Sequence, residues 1–198
     1  MLKGARGIVG ANLLTCLWSG HWRGKDGVMI DKKKVKIRDA FLRDLPIIVK
    51  IYNSTVPGGM VTADTEPVTV KSRERWFREH THAFRPLWVM EYEGKIVGWL
   101  SFQSFYGRPA YNSTAEVSIY IDQEQRREGL GTSFLEKAID HWSKLKIKTL
   151  LGFIFGHNDP SLELFRKHGF KRWGFLPKVA VISGIERDLL ILGKRVCG

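Results

Sequence analysis

Apolar and polar residues follow two periods along the chain, and the changes between these periods predict the order of strands and helices. A period of two over residues 35–40 predicts a strand. Helical spacing over residues 41–56 predicts a helix with Pro46 in its first turn. Residues 57–69 predict a long loop, and loops of that length in compact domains are usually functional. A second amphipathic helix is predicted over residues 71–84.

The second half of the chain alternates strands with two helices and closes on a pair of strands. Strands are predicted over residues 87–105 (a hairpin), 113–122, 148–156, 171–181 and 186–194, and helices over 134–142 and 159–170. In the last helix, Asp159 is predicted as the cap, Pro160 as the first residue and Gly169 as the end. This order predicts one α/β domain over residues 35–194, with a mixed sheet.

The first 28 residues follow neither period and are rich in glycine. Lys3 and Arg6 precede a short apolar stretch that resembles a secretory signal, but glycines interrupt it and no small-residue cleavage site follows. Met29 precedes the first patterned segment. We expect residues 1–28 to be an atypical, poorly ordered extension, with an export signal as the alternative.

Charge and cysteine usage narrow the class of protein. The net charge is +12, and the basic residues are dispersed apart from a run at 32–36, which favours a solubility trait or a polyphosphate ligand over a nucleic-acid face. Cys16 and Cys197 lie near opposite ends, so neither a disulfide framework nor a metal site is predicted. No apolar run reaches membrane-spanning length. We therefore expect a cytoplasmic protein without metal, membrane or nucleic-acid binding.

Two glycines stand one residue apart just before a predicted helix. Gly129 and Gly131 can leave backbone N–H groups open to an anion, and the first turn of a helix is positively polarised. The segment lacks the third glycine of the dinucleotide-binding fingerprint. It also lacks the lysine that follows the second glycine of a P-loop, so both motifs are excluded. The pattern alone leaves open whether the anion belongs to a nucleotide, a nucleic acid or a cofactor.

The surrounding motifs resemble the GNAT superfamily of N-acetyltransferases. Arg126-x-x-Gly129-x-Gly131 between a strand and a helix resembles its R/Q-x-x-G-x-G/A signature, and the segment from Asn158 to Phe170 resembles its closing motif. The segments IRDAFLRDLPIIVKIYN, SRERWF, GWLSF, AEVSIYI and LPKV are similar to the phosphinothricin acetyltransferase group, in order, over residues 35–192. The resemblance implies a single-domain fold with a mixed, mostly antiparallel central sheet flanked by helices.

The resemblance also implies acetyl-CoA as co-substrate. The pyrophosphate would lie on the glycine turn, the pantetheine arm would pair with the preceding strand, and an asparagine and a serine would add hydrogen bonds. The implied residues are Ile119, Tyr120, Ile121, Arg126, Arg127, Glu128, Gly129, Leu130, Gly131, Thr132, Asn158 and Ser161. For Asn158, a helix cap is the alternative role.

Acetyl transfer to an amine needs a group that accepts a proton, since alkyl ammonium groups have pKa values near ~10 and α-amino groups near ~8. Glu116 shares one face of its strand with Ser118 and Tyr120. By resemblance it occupies the place of the group's catalytic glutamate. The alternative is an ordinary solvated residue of the strand.

Several positions depart from the phosphinothricin acetyltransferase pattern. Phe165 stands where related enzymes have a tyrosine or histidine as general acid, and His168 is expected at the surface. Val181 and Ile182 stand where the group has a basic pair that binds an anionic amino acid. The substrate-pocket candidates are Phe105, Tyr106, Arg108 and Tyr111, although aromatics next to a strand are more often core or dimer interface. Because the basic pair is replaced by apolar residues, we expect the substrate to be an amine that is less anionic than phosphinothricin.

These features predict an acetyl-CoA-dependent N-acetyltransferase of a small primary amine, either an amino acid or a xenobiotic similar to phosphinothricin or methionine sulfoximine. The amine would attack the thioester directly. A homodimer is expected by resemblance. The alternatives are acetylation of a protein N-terminus or lysine, and a non-catalytic acyl-CoA sensor.

Overall fold

The protein is described by a computed structural model that covers residues 21–23, 29–31 and 34–196. Its strands are β1 (His21–Arg23), β2 (Met29–Asp31), β3 (Val35–Asp39), β4 (Leu87–Tyr92), β5 (Lys95–Ser104), β6 (Thr114–Ile121), β7 (Thr149–Phe155), β8 (Lys171–Ile182) and β9 (Ile185–Arg195). Its α-helices are α1 (Leu45–Asn53), α2 (Val70–Arg78), α3 (Leu130–Asp140) and α4 (Asp159–Lys167). This succession of elements from β3 onward confirms the order that the two periods predict.

Seven of these strands form one mixed sheet in the order β3-β4-β5-β6-β7-β9-β8. Every neighbouring pair is antiparallel except β6 and β7, which are parallel and joined through α3. The predicted single-domain α/β fold, with a mostly antiparallel sheet flanked by helices, is therefore confirmed.

Helices cover both faces of the sheet. On one face, Phe134 and Leu135 of α3 are fully buried in a cluster with Leu100 and Leu150 of the sheet. On the other face, Ile48 of α1 packs in a second cluster with strands β4 and β5. Burial on both faces explains why β7 is a nearly continuous apolar run in the sequence.

The sheet opens between its two parallel strands. Pairing of β6 with β7 covers three residue pairs and ends at Glu116 and Leu151. Beyond that point β6 continues to Ile121 and β7 to Phe155, each still paired with its antiparallel neighbour on the outer side. The inner edges of the two strands therefore diverge and leave a gap in the middle of the sheet.

Several helix ends differ from the predictions: α1 is shorter than the predicted range at both ends, and α3 begins at Leu130, four residues before the predicted start. Helix α2 ends at Arg78 rather than near residue 84, because the chain then forms a separate turn in which the Thr81 carbonyl accepts hydrogen bonds from the Phe84 and Arg85 N–H groups. Helix α4 is capped by Asn158 rather than Asp159, since the Asn158 Oδ1 atom accepts a hydrogen bond from the Ser161 backbone at 3.2 Å. Pro160 is consequently its second residue.

Most of the predicted extension at residues 1–28 lies outside the described residues. The exception is β1, which pairs antiparallel with β2 although the sequence pattern predicts no strand there. Cys16 and Cys197 also lie outside the described residues. The boundaries at 1–28 and 35–194 remain predictions.

Candidate active site

Two cavities meet at one carboxylate. The first, which we call the β6–β7 cleft, has a volume of about 840 Å³ and follows the gap in the sheet. The second, which we call the α1–α2 cavity, has a volume of about 260 Å³ and lies between the first two helices, the 57–69 loop and the sheet. Residues common to both linings are Thr62, Ala63, Glu116, Ser118 and Tyr120.

Glu116 lies where β6 loses its pairing with β7. Its register partners are Gln103 on β5 and Leu151 on β7, so its side chain is carried by the last fully paired position of β6. Burial raises the pKa of Glu116, and a long hydrogen bond of 3.4 Å from Ser118 Oγ offsets this only in part. A carboxylate with a raised pKa between two cavities is suited to take a proton near neutral pH.

The glycine turn forms one end of the β6–β7 cleft. Gly129 has a φ of 73°, in the left-handed region that favours glycine, and caps α3, which begins at Leu130. Gly131 allows α4 to approach closely, since a Cβ atom there would lie 3.1 Å from Leu164. The predicted residues of this turn that line the cleft are Arg126, Arg127, Gly129, Leu130, Gly131 and Thr132. The start of a helix with two basic side chains just before it is a suitable site for phosphate groups.

The predicted strand residues follow the cleft along the gap. Ile119, Tyr120 and Ile121 line it on the β6 side, whereas Glu128 does not line it. Asn158 and Ser161 line it from the start of α4. The Asn158 side chain is buried and already bonded on both ends, because its Nδ2 atom donates to Met60 O at 3.1 Å while Oδ1 caps the helix. Its predicted bond to a ligand remains a prediction.

Phe165 lines the cleft from α4 and packs onto the backbone of β7. A Cβ atom on Gly152 would lie 2.5 Å from its Cε1 atom, so the ring occupies the space that Gly152 leaves open. The ring also contacts Phe170, with centroids 4.8 Å apart. This side chain has no proton to donate, which agrees with the departure noted in the sequence.

The α1–α2 cavity has an aromatic wall and, among the described residues that line it, a single cationic side chain. Trp99 stacks on Tyr120 with ring centroids 4.2 Å apart, and Trp76 meets Trp99 at 5.7 Å. Arg73 lines the cavity from α2, and its guanidinium lies 4.7 Å from the Tyr52 ring. The sequence patterns indicate Tyr120 as a site residue but not Tyr52, Arg73, Trp76 or Trp99. The SRERWF motif, with Arg73 three residues before Trp76, was the signal that could have identified two of them.

The predicted substrate residues lie elsewhere. Phe105, Tyr106 and Tyr111 form a cluster between β5 and β6, with ring centroids 4.5 to 6.0 Å apart, and Arg108 is exposed beside them. None of the four lines either cavity. Their role in substrate binding therefore stays a prediction that the geometry of the two cavities does not support.

Within the described residues, no group of three His, Cys, Asp or Glu side chains could hold a metal ion. Among the same residues, no helix is both long and apolar enough to span a bilayer.

Sequence and fold comparisons agree with this geometry. The family model "Acetyltransferase (GNAT) family" matches residues 48–170. The chain is 53% identical over 161 residues to the "Putative phosphinothricin acetyltransferase YwnH" of Bacillus subtilis, covering 81% of this chain and 98% of that protein. It is 29% identical over 157 residues to the L-methionine sulfoximine/L-methionine sulfone acetyltransferase of Pseudomonas aeruginosa, covering 79% and 91%.

The fold is shared with solved structures of the same kind. A GNAT superfamily phosphinothricin acetyltransferase from Sinorhizobium meliloti, solved in complex with acetyl-CoA, superposes with a TM-score of 0.77 at 26% identity. The superposition covers 82% of this chain and 88% of that one. The chain therefore belongs to the acetyltransferase (GNAT) family and is an N-acetyltransferase of its phosphinothricin acetyltransferase-like group.

Proposed function

We propose that the protein transfers an acetyl group from acetyl-CoA to the primary amine of a small amino acid or a related xenobiotic. The observation that carries this proposal is the position of Glu116, a carboxylate with a raised pKa that lines both cavities. One cavity suits an elongated polyphosphate ligand and the other a small molecule. A base between them can activate the acceptor where the two ligands meet.

The β6–β7 cleft fits acetyl-CoA, which supplies the acetyl group as an activated thioester. Its volume of about 840 Å³ suits a large cofactor. The glycine turn, with Arg126 and Arg127, offers N–H groups and positive charge to the pyrophosphate. The inner edge of β6 at Ile119–Ile121 offers backbone groups to an extended amide chain, as an added strand would use them.

The α1–α2 cavity fits the acceptor. Its volume of about 260 Å³ suits a small amine and would admit only one side chain or the terminal residue of a protein acceptor. Arg73 offers a cation to the carboxylate of an amino acid, and Glu116 lies at the side of the cavity that adjoins the cleft. An amino acid bound by its carboxylate would thus direct its amine toward the base.

Glu116 would take a proton from the acceptor ammonium, directly or through water, and the free amine would attack the thioester. The raised pKa of Glu116 makes it a stronger base than an exposed glutamate. Proton transfer from the ammonium to Glu116 is therefore less unfavourable near neutral pH. Since Phe165 cannot act as an acid, we propose that the departing thiolate takes its proton from water.

The test is thiol release from acetyl-CoA by purified protein with a panel of acceptors, run beside Glu116→Gln. The panel contains methionine sulfone, methionine sulfoximine, phosphinothricin, ordinary amino acids, a polyamine and a peptide. We expect turnover of at least one amino-acid-like acceptor, and a loss of about 10²–10⁴-fold in kcat for the variant near neutral pH. Acetyl-CoA binding without turnover of any amine would favour the sensor alternative, and no binding would overturn the proposal.

We also propose that the protein is a cytoplasmic homodimer. The support for a dimer is the outer strand β8, the edge of the sheet, which carries a row of exposed apolar side chains. An uncovered edge with such a row is a pairing surface, and a second copy of the chain presents the same surface. The cytoplasm is supported by the proposed use of acetyl-CoA.

A further inference from the structure

Arg73 is the only cationic side chain among the described residues that line the α1–α2 cavity, and the carboxylate of Asp64 binds part of its guanidinium group. Asp64 Oδ2 accepts a hydrogen bond from Arg73 Nη2 at 2.8 Å and another from the Tyr52 hydroxyl at 2.6 Å. The pair is half-buried, with 27% of the Arg73 side chain and 42% of the Asp64 side chain exposed. A partly buried ion pair of this kind is screened less by salt than a surface pair.

The 57–69 loop holds Asp64 in this place. The Asp64 backbone N–H donates to Thr62 Oγ1 at 3.2 Å, and Thr62 in turn contacts the Tyr52 hydroxyl at 2.5 Å. At the far end of the loop, Asn53 and Val68 exchange two hydrogen bonds of 2.8 and 2.9 Å. The carboxylate is therefore tied to α1 on both sides and cannot swing away from Arg73 without breaking these bonds.

The charges of the cavity follow from this arrangement. Its charged lining residues are Asp64, Arg73 and Glu116, which sum to a net charge of −1 when Glu116 is ionised. Within residues 34–196, the Arg73 guanidinium bonds to no acceptor except Asp64, so its remaining N–H groups can bind one carboxylate. A second anionic group on the acceptor would be repelled by Asp64 and Glu116, and no further cation among the described lining residues would offset this repulsion.

We propose that Asp64 is a specificity-determining residue, which selects acceptors with one carboxylate and a neutral side chain over acceptors with a second negative charge. This inference rests on the proposed function and names its substrate class: zwitterionic amino acids with a neutral, polar or apolar side chain. The aromatic wall of Tyr52, Trp76 and Trp99 is consistent with that class, because it offers no charge to the side chain.

Two acceptors of nearly equal shape test the inference. Methionine sulfone and phosphinothricin share the amino acid end and a tetrahedral methyl-bearing centre, and they differ by the negative charge of the phosphinate. We expect wild-type kcat/KM to favour methionine sulfone by about tenfold or more, the size of effect that one charge a few ångströms away produces at intermediate dielectric.

Asp64→Asn keeps an oxygen that accepts the bonds from Tyr52 and Arg73 but removes the charge. We expect its ratio of kcat/KM for methionine sulfone over phosphinothricin to fall by about tenfold, chiefly through a lower KM for phosphinothricin. Glu66→Gln is the matched control, since Glu66 is exposed in the same loop and lines neither cavity. Its ratio should equal the wild-type ratio.

An unchanged ratio in Asp64→Asn, or an equal loss for both acceptors, would overturn the inference, because either result assigns Asp64 a structural role alone. Calorimetric titration of the two amines into wild type and both variants measures the same preference without turnover. Selective binding that depends on Asp64, in a protein that acetylates no amine of the panel, would support the inference and overturn the proposed function. Binding of neither amine would overturn the inference, and the absence of turnover across the whole panel would overturn the proposed function as well.

Discussion

At the scale of single residues, Glu116 gains its chemical role at the expense of stability. Its pKa is raised because burial disfavours the charged form, and the Ser118 hydroxyl offsets only part of this effect. The folded protein therefore binds the Glu116 proton more tightly than the unfolded chain does. The contribution of Glu116 to stability is complete below the ordinary pKa of a glutamate, and it is lost as the pH rises through the raised pKa.

Glu116→Gln should be more stable than wild type at pH 8 but not at pH 4.5, because glutamine has no charge to desolvate. The gain is expected as a Tm above that of wild type at pH 8. Scanning calorimetry at both pH values measures it. Glu124→Gln, at an exposed position, is the control and should change Tm at neither pH. An equal gain at both pH values would show that the ionisation of Glu116 is not the cause.

At the scale of elements, the turn from β6 into α3 needs left-handed backbone conformations, and the same turn forms the proposed pyrophosphate site. Arg127 and Gly129 both have a positive φ, of 69° and 73°, so the chain makes two left-handed steps before the helix starts at Leu130. These steps direct the chain from the edge of the gap into the first turn of α3. The proposed pyrophosphate site therefore depends on a conformation that glycine adopts without strain.

Gly129→Ala should weaken acetyl-CoA binding by about five- to tenfold, since a side chain at this φ costs about 1 kcal/mol and shifts the turn. Isothermal titration calorimetry measures the affinity. Gly94→Ala is the matched control, because Gly94 has a φ of 78° in the β4–β5 turn and lines neither cavity. The control should lose similar stability and keep its affinity. Equal acetyl-CoA affinities in the two variants would show that the turn is not part of the binding site.

Elements were more predictable from the sequence than the contacts between them. The glycine turn and the order of strands are encoded in neighbouring residues, so periodicity and spacing identify them. The α1–α2 cavity is different, because Tyr52, Asp64 and Arg73 come from a helix, a loop and a second helix that meet only in the folded chain. The end of α2 at Arg78 likewise follows from the turn into β4. No local pattern contains this information.

At the scale of the whole molecule, helices cover both faces at the centre of the sheet, whereas the side chains of the last strand, β8, are largely exposed. Strand β8 is last in the sheet order and carries several highly exposed apolar side chains. These are Trp173, Phe175, Val179 and Val181, each about half or more exposed. In a monomer this row would be a site of non-specific association, and a homodimer would cover it.

Val181→Asp should convert the proposed dimer into a monomer, because a charge in an apolar interface loses its hydration without a partner. Size-exclusion chromatography with light scattering at micromolar concentration distinguishes the two states. Leu42→Asp, an equally drastic change at an exposed leucine before α1, is the control and should remain dimeric. A wild-type protein that is monomeric under these conditions would contradict the dimer.

Because of the gap between β6 and β7, binding of the proposed acetyl donor should stabilise the folded protein. Three residue pairs join the two halves of the sheet, β3–β6 and β7–β9, so the halves can separate more easily here than at any fully paired strand boundary. A ligand that pairs with the inner edge of β6 binds only the folded state and stabilises it by mass action. The lifetime of the folded enzyme would then rise and fall with the cell's supply of activated acetyl groups.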